Sequence, residues 1–224
     1  ALGDAPNDIE MLEAADLVVA EDTRHTGALL SYLGLKKKIR SLHVHNEDKQ
    51  SEAILARLES GESVALVSDA GTPLISDPGF PLVRAARGAG FRISPVPGPS
   101  ALVAALSVSG LPCDRFVFEG FLPAKAAARR SRLEQLMTEP RTLVFYESPH
   151  RISESIVDMA AVFGSAREAV LLRELTKKFE QIHAGELGEL VLWLAENENH
   201  RKGEFVVVVA GSDVGPTTQY DAQV

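Results

Sequence analysis

The chain has one cysteine, Cys113, among 224 residues. That excludes an intramolecular disulfide framework and a zinc cluster built on cysteine alone, and it suits a reducing cytoplasm. Metal-ligand spacing is lacking too. His25, His43 and His45 lie early, but no His-x-x-x-His pair occurs, so no metal is expected. The longest charge-free stretch, residues 93–113, is interrupted by Pro95, Pro97, Pro99, Pro112, Gly98 and Gly110, which excludes a continuous membrane-spanning helix. No basic segment followed by an apolar core stands at the start, so no secretory leader is expected. Basic residues are outnumbered, 23 Lys and Arg against 31 Asp and Glu, for a net charge of −8. Such a balance argues against a protein that wraps nucleic acid over its whole surface, while leaving room for a local basic face.

Several catalytic signatures are missing as well. No Gly-Lys-Ser/Thr follows a glycine-rich loop, and the main Gly/Pro loop is not Gly-x-Gly-x-x-Gly. There is no Gly-x-Ser-x-Gly elbow, which disfavours a hydrolase triad. Gly3-Asp-Ala-Pro-Asn-Asp8 is similar to the late magnesium motif of haloacid-dehalogenase-type phosphatases, with Asp4 and Asp8 as ligands. Those enzymes need an upstream Asp-x-Asp, and none exists here.

What is present is an ordinary globular composition, 45% apolar and 24% charged. Apolar runs at 17–20, 63–68 and 92–96 predict buried strands, and 39–43 a further one. Helical spacing alternates with them at 8–15, 26–33, 50–58, 81–90 and 101–109. This predicts a mostly parallel α/β sheet. Composition changes at Leu111-Pro-Cys-Asp114, and strands at 115–119, 142–146, 168–172 and 203–210 then alternate with helices at 126–137, 152–163 and 185–196. The expected organisation is an α/β domain over 1–112, a second over 113–211, and a polar tail over 212–224 that begins a linker. The chain opens on a loop and helix with no leading strand, so a truncated start is expected.

Loops after the strands are the places for chemistry. Residues 68–79 combine Gly71 and Gly79, which permit close backbone approach, with the short polar side chains of Thr72, Ser76 and Asp77. Open α/β sheets bind small ligands at this position, although a structural Pro/Gly turn reads equally well. Pro97-Gly-Pro-Ser100 follows a predicted strand and opens an apolar helix, so Ser100 is either a helix cap or a second ligand contact. Clusters at 145–151, 172–178 and 200–205 also flank strands. Basic residues gather at Lys36 to Lys38 with Arg40, at Arg129, Arg130 and Arg132, at Lys177 and Lys178, and at Arg201 and Lys202. Each run alone is usually a solvated face, but several around one cleft would bind phosphate.

The order of these loops is more specific than any one of them. Glu21-Asp-Thr-Arg-His-Thr26, Ser68-Asp-Ala-Gly-Thr-Pro73, Pro97-Gly-Pro-Ser-Ala101, Glu119-Gly-Phe-Leu-Pro123, Phe145-Tyr-Glu-Ser-Pro-His-Arg151, Arg173-Glu-Leu-Thr-Lys177 and Lys202-Gly-Glu204 occur in series. That series resembles the tetrapyrrole-methylase superfamily and, within it, the bacterial 16S rRNA (cytidine 2′-O) ribose methyltransferases. The resemblance implies two α/β domains with S-adenosylmethionine in the cleft between them, a homodimer in the cytoplasm, and methyl transfer to 16S rRNA of the small ribosomal subunit; the alternatives are a methylase of corrin-type macrocycles, or a truncated fragment that dimerises and binds RNA without catalysis. It implies that Asp69, Ala70, Gly71, Thr72, Pro73, Ile75, Ser76 and Asp77 form the main cofactor loop, with Ser100 and Ala101 as a second contact. Tyr146, Leu172, Arg173 and Gly203 would supply the second-domain side. It also implies an opening strand before Leu2-Gly3-Asp4 and a small basic helical domain after the last strand. The proton of the attacked hydroxyl would pass to a carboxylate or to a lysine of lowered pKa. Glu147, Glu174 and Lys177 each follow a strand of the second domain and are the candidates, with a structural ion pair as the competing reading for each.

Overall fold

The computed structural model describes residues 6–213. Asp4 of the Gly3-to-Asp8 motif and the tail beyond 213 lie outside them. The chain divides into two compact units, the first ending at Ser100 and the second beginning at Ala101.

In the first unit α1 (Pro6–Ala14) leads into β1 (Leu17–Ala20), α2 (Thr23–Tyr32), β2 (Lys38–Ser41), α3 (Glu47–Glu59), β3 (Val64–Val67) and α4 (Phe80–Gly88). The strands form a parallel sheet in the order β2-β1-β3, with Val18 opposite Ile39 and Ala65. Helices cover both faces, which is why all four residues of β1 are buried and read as an unbroken apolar run. Leu17 and Val19 pack with Ile54 of α3 and Leu82 of α4, while Val18 packs with Leu12 of α1 and Leu30 of α2. Because the strands are parallel, the segments following β1, β2 and β3 all emerge at one edge.

The strand expected at 92–96 does not form. Prolines at 95, 97 and 99 remove backbone donors from this stretch, and Ile93 and Val96 stay exposed.

The second unit opens with α5 (Ala101–Ser109) and continues through β4 (Phe116–Phe121), α6 (Ala126–Leu136), β5 (Thr142–Glu147), α7 (Ile152–Phe163), β6 (Glu168–Arg173), β7 (Gln181–Glu186), α8 (Leu187–Glu196), a 3-10 turn over Glu198–Arg201 and β8 (Phe205–Val209). The unit boundary falls ahead of the composition change at Leu111 because Ala105 and Leu106 of α5 pack on Val144, Val170, Val206 and Val208 of the second sheet. That sheet has the order β4-β5-β8-β6-β7. Only β4 and β5 run parallel; β8 inserts antiparallel between β5 and β6, and β7 returns antiparallel on β6. The second sheet is therefore mixed, unlike the mostly parallel one expected. Alternate residues of β8 serve two cores: Phe205, Val207 and Val209 meet α6, α7 and α8, while Val206 and Val208 meet α5.

Strand β7 escapes sequence reading because Gln-Ile-His-Ala-Gly-Glu offers neither an apolar run nor clean alternation at the sheet's edge. Its last residue, Glu186, caps α8 in a reciprocal capping box with Glu189, which starts that helix at Leu187 rather than at Gly185.

Candidate functional site

The first unit gathers carboxylates at the carboxyl-terminal edge of its sheet. Glu21 and Asp22 follow β1, and Asp69 follows β3. Asp22 is committed to structure: it caps α2 by accepting from the Arg24 amide (2.8 Å) and pairs with the Arg24 guanidinium (2.7 Å). Its own amide donates to Asp69 Oδ1 (3.3 Å), tying the two loops together. The other acids are less satisfied. Burial, then the neighbouring charges of Glu21 and Asp69, push the Asp77 carboxyl up to about 6. Burial also raises Glu21, with Asp69 and Asp22 adding to the effect and His43 opposing it. Glu21 and Asp77, both raised in part by the charge of Asp69, make with it a rim that favours a cationic group.

The loop 68–79 holds this shape through strained backbone. Gly71 has φ +70° and Gly79 φ +125°, and the non-glycine residues Leu74 and Ser76 also take φ of 72° and 68°. Left-handed backbone at two ordinary residues within one loop is costly and clusters at ligand sites. The buried Ser68 hydroxyl donates to the Gly71 carbonyl (3.0 Å), and the Ile75 amide reaches the Thr72 carbonyl (3.3 Å). Thr72 Oγ1 donates to the Pro99 carbonyl (3.2 Å), so this loop and the segment carrying Ser100 meet inside the first unit. A Cβ on Gly71 would point at that same carbonyl from 3.8 Å. At the far end of the loop, Glu47 of α3 accepts from the Gly79 amide. Ala70, Ile75 and Ser76 are exposed along the loop, with Pro73 half-buried. Sequence reading passed over Glu21 and Glu47 as site residues; the sign of Glu21 was its place directly after a fully buried strand.

In the second unit the candidate residues are brought to the ends of β5 and β6 and to the turn before β8, but most of their polar groups are already engaged. The Tyr146 hydroxyl accepts from the Leu102 amide (3.0 Å) and its ring packs edge-on against Phe118 and Phe121. It thereby satisfies the first turn of α5, a bond that a capping Ser100 would otherwise offer. Ala101 starts that helix and is exposed. Leu172 is fully buried in the core under α5.

Glu147 is buried and accepts from the Ser155 hydroxyl (2.6 Å), the Ser148 amide (2.8 Å) and the Arg151 guanidinium (2.9 Å). Arg173 ties the loop 173–180 to the turn before β8 by donating to the carbonyls of Lys202 and Phe179 (2.5 and 3.2 Å) and to Gln181 (2.9 Å). Glu174, at φ 50°, accepts from the Glu204 amide (2.8 Å) and from Lys177 (3.3 Å), and Lys177 reaches Glu204 as well (2.9 Å). Gly203, at φ +101°, is required here, since a Cβ on it would stand 2.5 Å from Glu174 Cγ. The Glu204 amide, followed by Lys177, holds the Glu174 carboxyl below its ordinary range. Burial depresses Lys177, but its bonds to Glu204 and Glu174 outweigh that and leave it raised. That direction is opposite to the lowered pKa a lysine base needs.

The basic run at 129–132 is neutralised. Arg129 is buried against Asp158 (2.7 Å), Arg130 shares that carboxylate (2.6 Å), and Arg132 pairs with Glu119 (2.8 Å). Lys37 donates to the Ala15 carbonyl beyond α1 (2.9 Å). No group of His, Cys, Asp and Glu able to hold a metal occurs among the described residues.

Residues 5–191 match the tetrapyrrole (corrin/porphyrin) methylases. The chain is 60% identical over 212 residues to the ribosomal RNA small subunit methyltransferase I of Xylella fastidiosa, covering 94% of this chain and 78% of that protein. It is 55% identical over 203 residues to the protein of the same name from Escherichia coli, covering 91% of this chain and 71% of that one. Among solved structures, the methyltransferase CobJ superposes with a TM-score of 0.65 at 20% identity, covering 95% of this chain and 91% of that one, and it shares the fold.

Proposed function

The chain belongs to the tetrapyrrole methylase family, and from that premise we propose that it methylates a ribose 2′-oxygen of a cytidine in 16S rRNA of the small ribosomal subunit, with S-adenosylmethionine as donor. The observation that carries this reading is the identity with ribosomal RNA small subunit methyltransferases over more than nine-tenths of the chain.

The first unit's residues suit the donor. Its sulfonium and ammonium are cations, and Glu21, Asp69 and Asp77 form an acidic rim whose mutual repulsion a cation relieves. The backbone of 69–73 with Gly71, and the side chains of Ile75, Ser76 and Asp77, would hold it, with Ser100 reached through the Thr72–Pro99 bond. When bound, the donor supplies an electrophilic methyl group and leaves as a neutral thioether. Positioning then accounts for much of the rate. In the second unit, Arg173 and Gly203 fix the loop bearing Glu174 and Lys177. Glu174 is partly accessible and held ionised beside the Lys177 ammonium; its lowered pKa makes it a weak base, so it takes the proton released as the oxygen is methylated only in passing and hands it to solvent. Glu147, being buried and paired with Arg151, supports this rim from behind. The protein works in the cytoplasm as a homodimer. Val103 and Val108 stand exposed along the apolar α5, as a contact with a second copy requires.

The test supplies isotopically methyl-labelled S-adenosylmethionine with unmodified small subunits, with rRNA, and with a corrin-type macrocycle. Label is expected in rRNA, at a nucleotide whose 3′ linkage resists alkaline hydrolysis because its 2′-oxygen is blocked. Label in the macrocycle alone, or none, overturns the reading. Light scattering of the purified chain tests the dimer.

A further inference from the structure

We propose that Arg84, Arg87 and Arg92 form a surface that grips the phosphate backbone of the RNA substrate, apart from the acidic rim. The proposal rests on the RNA-methylating reading above.

The first observation is the pairing of cations. Acids outnumber basic residues in this chain, so an arginine without a partner is the exception. Arg24, Arg57, Arg129, Arg130, Arg132, Arg141 and Arg151 all pair with carboxylates. Arg40, Arg167 and Arg173 donate to amide or carbonyl oxygens, and Arg115 and Arg201 lie within 4 Å of an acid. Among the described residues, Arg84, Arg87 and Arg92 alone of the arginines have neither a hydrogen bond nor an ion pair, and all three are exposed.

The second observation is their setting. From residue 78 to 113 these arginines are the only charged side chains. On α4, Leu82 and Ala86 face the core, which leaves Arg84 and Arg87 three residues apart on the outer face. The helix ends in paired bonds from the Gly90 amide to the Arg87 carbonyl (3.1 Å) and from the Phe91 amide to the Ala86 carbonyl (3.0 Å), with Gly90 at φ +83°. This turn reverses the chain, so Arg92 emerges at the end of α4 where Arg87 sits. A role for Arg87 in offsetting the helix dipole explains one residue of the three.

The geometry also separates opposite charges. At about 1.5 Å per residue, Arg84 and Arg87 lie roughly 8 and 12 Å along the axis from Gly79, where the cofactor loop ends. Phosphates are repelled by Glu21, Asp69 and Asp77 but attracted at the far end of α4. Guanidinium groups without a protein partner keep all their donors for phosphate oxygens, which they bind in a two-pronged fashion.

The experiment compares the full chain with Arg84→Ala/Arg87→Ala/Arg92→Ala and with the triple lysine variant. Binding to transcribed 16S rRNA is measured across a salt series, together with S-adenosylmethionine affinity and steady-state methylation. Three lost phosphate contacts should weaken RNA binding roughly 10- to 100-fold near 0.1 M salt and reduce the log–log salt slope by about 2 to 3. KM for RNA should rise with kcat and donor affinity unchanged, and the lysine variant should retain most of the affinity. Equal affinity and slope in the alanine variant would overturn the proposal. So would unchanged binding to free rRNA with a loss confined to intact subunits, since the surface would then meet a protein. Failure of the unsubstituted chain to bind rRNA or transfer label overturns the functional reading itself, and this proposal with it.

Discussion

The two units handle charge at their loops in opposite ways. In the first, Glu21, Asp69 and Asp77 converge without enough cations to balance them, and the carboxyls of Glu21 and Asp77 are pushed up. In the second, Glu147 has Arg151, Glu174 has Lys177 and the Glu204 amide, and Arg173 is spent on carbonyls. One rim is left unsatisfied until a cation arrives; the other is already satisfied and rigid. An unsatisfied group is costly to stability, so its presence at a strained loop points to binding, whereas a closed ion-pair network needs no ligand to be stable. On the proposed reading, the first unit receives the donor and the second holds Glu174 in its ion-pair frame.

The largest effect expected tests the frame. Glu147→Leu leaves Arg151 and Ser155 without their shared acceptor beneath the rim. Arg151 is 23% exposed and keeps its bonds to Ser148 and Leu122, so removing the buried carboxylate should cost about 2–3 kcal/mol, below the figure for a fully buried pair. Denaturant unfolding should show that loss, and a loss under about 1 kcal/mol would mean the second rim is far less buried in its energetics than in its geometry.

Gly71→Val attacks the other rim. A β-branched residue at φ +70° costs roughly 1–2 kcal/mol in backbone strain, and it fills the approach toward Pro99. Calorimetry should show donor binding lost while circular dichroism shows the fold retained. Retention of binding would take the loop 68–79 out of the site.

The pH dependence sharpens the contrast further. Asp77 titrates in the folded protein at about 6, above its ordinary value of 3.8. Between those values the folded state holds more protons than the unfolded one, so Asp77 makes stability fall as pH rises through this window. Donor binding runs the other way, because the cation prefers the ionised carboxylate. Affinity should therefore drop about tenfold from pH 7 to pH 5, and Asp77→Asn should remove most of that dependence. Glu174, held low, adds nothing in this range.

Much of this was legible beforehand, for identifiable reasons. The strand at 17–20 is apolar throughout because helices cover both faces, and the loop at 68–79 advertises itself by glycine and proline. The strand foreseen at 92–96 fails because alternating prolines cannot donate to a ladder, whatever the apolar pattern says. Strand β7 hides because an edge strand needs little apolar surface. Pairing is the least legible property. Arg129 and Arg84 look alike in sequence, yet one is buried against Asp158 and the other stands exposed without a partner. Sequence spacing places charges on elements but does not say which acid a long side chain reaches.

The smallest effect bears on whether the second rim can be made to resemble the first. Lys177 is 44% exposed and its partner Glu204 more so, so removing the ammonium with Lys177→Met should cost less than about 1 kcal/mol. Glu174 should nonetheless remain below the ordinary carboxylate range, because the Glu204 amide, the larger cause, is untouched. Carbon-detected NMR titration of the Glu174 carboxyl in this variant reads the outcome directly. A small upward movement would show that backbone geometry, fixed by Gly203, keeps this rim charged and ordered. A rise to the level of Asp77 would show that Lys177 alone separates the two rims, and the division of labour between them would then rest on one exposed cation.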